Sequence, residues 1–294
     1  MQVLQSLTVN SRKVYLNAWY RFLSFIKTIN VSPAQVSSNH LSLYISKLHQ
    51  NHFRTSTIKS HMSAIGFMFE AAGLQNPTKS FIIQKQLIYF NKNQTPSLSR
   101  KPINSNILKK LIHHIPKITH NKYDQLLYKS MFTLMYHAAL RGSEVCKTPT
   151  TKHTIQFNQI EPVTSKTLPS IKIRFISYKH STSDIPSLIV RSTDDITCPV
   201  TAFRKYSRLR GNNPGPAFQD QSSSPITRQM LLSILQQCLI RAGLSLDSYN
   251  THSFRIGKTT DLVKHGMSYP KISLIGRWKS KAFLHYIKPQ TIHN

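Results

Sequence analysis

The sequence predicts a two-domain, mainly helical protein: a helical domain over residues 1–95, then a mixed α+β domain over residues 96–294 with a small antiparallel sheet. Three observations predict it. Apolar residues recur at helical spacing through the first 95 positions. A stretch without periodicity, Asn91 to Pro102, interrupts them. In the second half a short alternation of apolar and basic residues, Ile171 to Phe175, is flanked again by helical patterns.

The elements follow in order. Val14, Ala18, Phe22 and Phe25 form the first stripe, with Ser11 as candidate cap. Leu41, Tyr44, Ile45 and Leu48 form the second. Ile58, Met62, Ile65, Phe69 and Ala72 form the third, which starts after Thr55 and Ser56 and stops at Gly73, as a helix end should. These stripes read as core, while Arg54, Lys59 and Ser60 are candidates to face phosphates. Residues 91–102, with two prolines and no periodicity, read as a basic linker. The second domain opens with a helix through Ile107, Leu108, Leu111, Ile112 and Ile115. A longer helix over 124–140 is apolar nearly all round, which predicts a central buried position and an end against Arg141. Ile171, Ile173 and Phe175 alternate with Lys172 and Arg174 as a strand does; residues 154–158 and 187–191 are weaker strand candidates, with Lys179 on the hairpin. Pro199 suits a helix start, with Phe203, Tyr206 and Leu209 following. A further helix runs from Thr227 to Gly243. The remaining chain reads as His252 to Gly266, Pro270 to Trp278 and a short helix around Tyr286.

Composition narrows the class. At 294 residues, 39% hydrophobic, the chain suits two folded domains. No run approaches 18 apolar residues, so no membrane span is expected. Residues 1–10 lack a charged start followed by an apolar core, so no secretory leader is expected, and the three scattered cysteines fit a reducing, intracellular setting. The 39 Lys and Arg face only 10 Asp and Glu, a net charge of +29, which calls for a polyanion such as nucleic acid. Residues 1–123 hold 16 basic residues and a single acid, Glu70, so both halves are basic and suit a clamp on a duplex. A ribosomal or chromatin-type protein fits the charge as well. Cys146, Cys198 and Cys238 lie far apart with no CxxC, and the 14 histidines include no HExxH, so no metal site is expected.

Four segments could carry chemistry: Leu140-Arg141-Gly142-Ser143-Glu144, Lys179, His252-Ser253-Phe254-Arg255, and Gly276-Arg277-Trp278-Lys279-Ser280 leading to Tyr286. Each alone has a plain reading. Arg141 and Glu144 at i,i+3 can be an ordinary ion pair. Lys179 is one of many lysines, and His252 with Arg255 is a common spacing. Tyr286 alone can be a packed core tyrosine.

Together and in order, these segments resemble the tyrosine recombinase (phage integrase) family. Its catalytic set reads Arg, an acidic residue, Lys, His-x-x-Arg, His or Trp, and Tyr. That set falls here on Arg141, Glu144, Lys179, His252, Arg255, Trp278 and Tyr286. Cys198-Pro199-Val200, the HSFR segment and GRWKS look like the subgroup found in eukaryotic mobile elements. The resemblance covers roughly residues 100–290; residues 11–90 match only as a helical, basic domain of the right size, implying a SAM-like DNA-binding domain.

The resemblance implies strand breakage and rejoining through a 3′-phosphotyrosyl intermediate, without metal or cofactor, on double-stranded DNA as a homo-oligomer, a dimer to a tetramer. Two guanidiniums, Arg141 and Arg255, can each grip two phosphate oxygens where charge builds up during in-line attack. His252 is a third donor or the base for the Tyr286 proton. Tyr286 is the nucleophile. Lys179 is the expected acid for the leaving 5′ hydroxyl, with Lys166 and Lys172 as alternatives. Trp278 can donate its indole N–H to a phosphate oxygen. Glu144 would orient Arg141 or His252. A type IB topoisomerase and a recombinase descendant kept only for DNA binding remain alternatives. The DNA target and the mode of assembly stay open; a nuclear location is expected if the host is eukaryotic.

Overall fold

The computed structural model describes residues 2–94, 100–148, 153–163, 168–176, 187–278 and 280–286. The chain forms two compact units, Met1–Ser97 and Leu98–Asn294.

The described residues of the first unit form helices and turns. Helix α1 spans Val9–Thr28 and is capped by Thr8, whose hydroxyl accepts from the Ser11 N–H, so the cap lies three residues before the expected Ser11. Helices α2 (Ser38–Gln50) and α3 (Thr55–Ala71) follow the second and third stripes. Phe22, Phe25, Leu41, Tyr44, Ile45, Leu48, Ile58, Met62, Ile65 and Phe69 close one core. Val14, expected inward, is exposed. Gly73 takes the left-handed conformation just past the third helix, at φ 69°. Helix α4 spans Phe81–Asn93 and corrects the linker expectation at 91–93, which are helical. It buries only Ile83 and Leu87 while exposing Phe81, Ile82, Ile88 and Tyr89, so apolar residues lie on every side and the periodic signal is blurred. Residues 95–99 of that linker lie outside the described residues.

The second unit has a larger core. Helix α5 (Ser105–His114) precedes α6 (Lys122–His137), which is the buried central helix the apolar run implies. It ends at His137 rather than at 140, because Ala139 turns to a left-handed φ of 46°. A four-residue helix, α7 (Gly142–Val145), follows at once. Three strands, β1 (Ile160–Val163), β2 (Ser170–Arg174) and β3 (Ser187–Arg191), pair antiparallel in that order, Ile173 facing Ile160 on one side and Leu188 on the other. The first strand therefore lies at 160–163 and not at 154–158, where Phe157–Gln159 form a 3-10 turn. Helices α8 (Pro199–Arg210) and α9 (Arg228–Arg241) come next, capped by Cys198 and Thr227. Leu209 on α8, expected inward, is exposed. Helix α10 (Ser253–Lys264), α11 (Tyr269–Gly276) and a 3-10 turn over Lys281–Tyr286 follow. Helix α6 packs between α8 and α10, with the Phe132 and Phe254 rings in contact. Gly257 lets α10 press against the segment entering α5: a Cβ there would stand 1.8 Å from the Ile103 carbonyl oxygen. No helix among the described residues is long and apolar enough to cross a membrane.

Candidate active site

Three helix ends converge here: the end of α6 with α7, the start of α10, and the end of α11 with the final turn. The left-handed Ala139 stops α6 and lets Leu140 donate its N–H back to the Met135 carbonyl. Arg141 then stands as the N-cap of α7. Glu144 reaches back one turn. Its Oε2 accepts the Arg141 backbone N–H at 2.8 Å and its Oε1 accepts from Arg141 Nη1 at 3.0 Å. The ordinary i,i+3 pair thus exists, but buried: the Glu144 side chain is 1% exposed and that of Arg141 19%.

On α10, the Asn250 side chain accepts the His252 N–H, and Arg255 lies one turn further on the same face. Arg255 is fully buried. Its Nη1 donates to the Ala139 carbonyl at 2.6 Å and its Nη2 to the Gly276 carbonyl. Its guanidinium carbon lies 4.0 Å from the centre of the Trp278 ring, a stacked arrangement that guanidinium favours. The Nε of Arg255 is buried without a hydrogen-bond partner. Gly276 is required for this packing, since a Cβ there would lie 1.6 Å from the Trp278 ring.

The final turn is anchored by Phe283, which packs with Leu262 and Ile272, with Trp278 and Tyr286 at the edge of that cluster. Tyr286 Oη and His252 Nε2 are 2.8 Å apart, and the two rings meet edge to face at 5.2 Å. Trp278 and Tyr286 are 5.9 Å apart, centre to centre.

Electrostatics sharpen the picture. Burial, then the charges of Arg255, Arg141 and Arg228, push the His252 imidazole down to about 4, so it is neutral near pH 7. A neutral ring can accept the hydroxyl proton of Tyr286 at the bonded nitrogen. Burial would raise the Glu144 carboxyl, but Arg277, Arg141 and the Arg141 N–H overcome it and hold it below the ordinary carboxylate range. Burial, then Arg141 and Arg277, also press on the charge of Arg255; a guanidinium nonetheless stays protonated near neutrality. Three guanidiniums around one carboxylate leave a positive surplus that suits a phosphate.

The structure therefore brings together Arg141, Glu144, His252, Arg255, Trp278 and Tyr286. Lys179 and its alternative Lys166 lie outside the described residues. Lys172 lies on β2, opposite Glu161 and Ile189. The sequence reading missed Arg277, which is 1% exposed at its side chain and bonded to Glu144. Among 39 basic residues only its place between Gly276 and Trp278 hinted at it. Among the described residues no group of three or more His, Cys, Asp or Glu is placed to hold a metal ion.

Comparison with known proteins places the chain. The model of the phage integrase family matches residues 102–290, and that of the phage integrase N-terminal SAM-like domain matches residues 2–76. No curated protein matches the sequence significantly. Among solved structures, the fold is similar to the XerH site-specific recombinase bound to palindromic difH substrate in a post-cleavage complex, at 14% identity and TM-score 0.68, covering 95% of this chain and 77% of that one. It is similar to the Tn1549 transposon integrase in complex with transposon right end DNA, at 12% identity and TM-score 0.66, covering 98% and 94%. It is also similar to a lambda integrase dimer bound to a COC′ core site, at 10% identity and TM-score 0.59, covering 92% and 71%. At these identities the likeness is one of fold.

Proposed function

We propose a strand-breaking and rejoining reaction centred on Tyr286, from the premise that this chain belongs to the phage integrase family, whose model spans residues 102–290. The protein is a tyrosine recombinase acting on DNA. The observation that carries the assignment of residues is the 2.8 Å contact between Tyr286 Oη and His252 Nε2, made beside Arg141 and Arg255.

In this reading Tyr286 Oη attacks the scissile phosphorus as its proton passes to His252. The P–O5′ bond breaks and a 3′-phosphotyrosine forms, which conserves the ester for rejoining. The departing 5′ oxygen takes a proton from Lys179, the residue that the family pattern assigns as acid. A 5′ hydroxyl attacking in reverse restores the DNA and Tyr286. Arg141 donates to the non-bridging oxygens where negative charge grows. Arg255 lies deeper: two carbonyls hold it and Trp278 covers it, so it first contributes its charge from below. Its unpartnered Nε leaves a donor that a phosphate oxygen would satisfy. Glu144 keeps Arg141 in place. Trp278 supplies the ring on which Arg255 stacks, and its indole N–H is a further donor for phosphate.

The HSFR and GRWKS segments support a place in the eukaryotic mobile-element subgroup, with integration or excision as the task and the nucleus as the site of action. Residues 1–95 serve as the core DNA-binding domain and 96–294 as the catalytic one. Two or four copies assemble on duplex DNA, in keeping with the dimer of lambda integrase on its core site.

The test is a covalent trap. A labelled pool of duplexes, nicked near a randomised sequence, is incubated with the protein and then denatured in detergent. Wild type should retain label, and protease should remove it. Equal retention by wild type and Tyr286→Phe would refute the assignment.

A further inference from the structure

We infer that Arg277 is a positioning residue for strand cleavage, fixing Glu144 and through it the guanidinium of Arg141; this rests on the reading of Arg141 as a phosphate ligand. The geometry is a chain of constraints. Helix α11 ends at Gly276, and Arg277 follows with a left-handed φ of 55°, an uncommon conformation for a residue with a side chain. That turn carries the guanidinium inward. Nη1 donates to the Ile275 carbonyl at 2.9 Å and to that of Ala138 at 3.3 Å. Nη2 donates to Glu144 Oε2 at 2.7 Å and to the Ala139 carbonyl at 3.4 Å. Its charged plane lies 4.2 Å from the centre of the Phe175 ring.

The consequence falls on Arg141. Oε2 of Glu144 is shared between Arg277 Nη2 and the Arg141 backbone N–H. With that oxygen held from both sides, the carboxylate cannot rotate, and Oε1 has one position, the one from which it pairs with Arg141 Nη1. The backbone of Arg277 acts on the same group, since its carbonyl accepts from Arg141 Nη2 at 3.5 Å. Arg141 is thus gripped on two sides by contacts that both lead to Arg277. The side chain of Arg277 is too deeply buried to reach DNA, at 1% exposure, whereas that of Arg141 keeps 19%. Arg277 therefore acts through Arg141 and touches no substrate. Its carbonyl contacts also tie the turn after α6 to the end of α11, so the segments bearing Arg141 and Trp278 share one joint.

The experiment measures single-turnover adduct formation on the randomised nicked duplexes, together with DNA affinity and thermal stability. Arg277→Lys keeps the charge but cannot span Glu144 and three carbonyls. Glu144→Asp keeps the carboxylate but is one methylene too short to hold both arginines. Each should slow adduct formation by about 10²-fold, the scale of a small misplacement of a catalytic group, with DNA affinity unchanged. On an Arg141→Ala background neither should cost anything further. Wild-type rates in both variants, losses confined to affinity, or losses that add fully to that of Arg141→Ala would overturn the inference. So would failure of both variants to fold, because the network would then hold the fold and not a guanidinium. If Arg141→Ala itself cleaves at the wild-type rate, the reading of Arg141 falls, whatever Arg277→Lys does.

Discussion

At the residue scale, the site depends on buried charge placed before the substrate arrives. Glu144 is the hinge of that arrangement, for it faces Arg141 and Arg277 with almost no exposure. Removing one partner of a buried ion pair strands the other charge, so Glu144→Ala should lose about 3–5 kcal/mol of stability, read by denaturant unfolding. A loss within the ~1 kcal/mol typical of surface pairs would contradict it. His252 gives a second test. Its ring is pushed down to about 4, mainly by burial. It stays neutral and ready to accept a proton from pH 7.5 down to about pH 5. Adduct formation should therefore show no break near the usual histidine value of about 6.5, and should fall only as pH nears 4. A break near 6.5 that disappears in His252→Asn would overturn the assignment. That Arg141, Glu144, His252, Arg255, Trp278 and Tyr286 would meet was legible from their order along the chain, though each alone was ordinary. Arg277 was not legible, because its role comes from a left-handed backbone and near-complete burial, which residue type does not record. The depth of Arg255 was hidden for the same reason: the fork expected to meet phosphate is already held by the Ala139 and Gly276 carbonyls.

At the element scale, helices end where the site needs them to. Ala139 and Arg277, both left-handed, stop α6 and α11 and turn carbonyls toward the buried guanidiniums. Gly276 and Gly257 permit two close approaches. Gly276→Ala would drive its methyl into the Trp278 ring and move that ring off Arg255, so adduct formation should fall while the first unit is unaffected. Full activity in that variant would show that the Trp278 stack does not matter. Gly257→Ala sets a methyl against the Ile103 backbone, which cannot give as a flexible side chain can; it should cost about 3 kcal/mol or more, by thermal unfolding. The helical stripes, the alternation in β2 and the helix starts near Pro199 and Thr227 were readable, since each is a local pattern. Helix α4 was not, because exposed Phe81, Ile82, Ile88 and Tyr89 mask the two residues it buries. Nor was β1, whose Ile160-Glu161-Pro162-Val163 is too short to alternate clearly and is defined by its pairing with β2.

At the scale of the whole molecule, charge and protons govern behaviour. A net charge of +29 predicts binding driven by counterion release. If roughly 6–10 phosphates are contacted, affinity should drop by about 10³–10⁵ between 50 and 200 mM salt; a flat response in a filter-binding titration would contradict this. Stability should also depend on acid. His252 and His137 both lie at about 4 in the folded chain, chiefly through burial. The unfolded chain therefore binds protons that the folded one refuses. Their contribution is intact above pH 6.5 and is lost as pH falls toward 4. Asp195 is exposed; its partial desolvation is outweighed by bonds from Thr197 and Lys109, which hold it at about 2, and it acts in the same sense at lower pH. Unfolding midpoints should decline steadily below pH 6.5, and a midpoint constant down to pH 4.5 would count against a neutral, buried His252.

In the proposed reaction Tyr286 becomes joined to a 3′ phosphate of DNA. The most direct measurement is mass spectrometry of the tryptic peptide recovered from the detergent-stable adduct on nicked duplexes. Wild type should carry a nucleotide attached through phosphate to Tyr286, and Tyr286→Phe should give no adduct. A nucleotide attached to any other residue, or an adduct that persists in Tyr286→Phe, would contradict it.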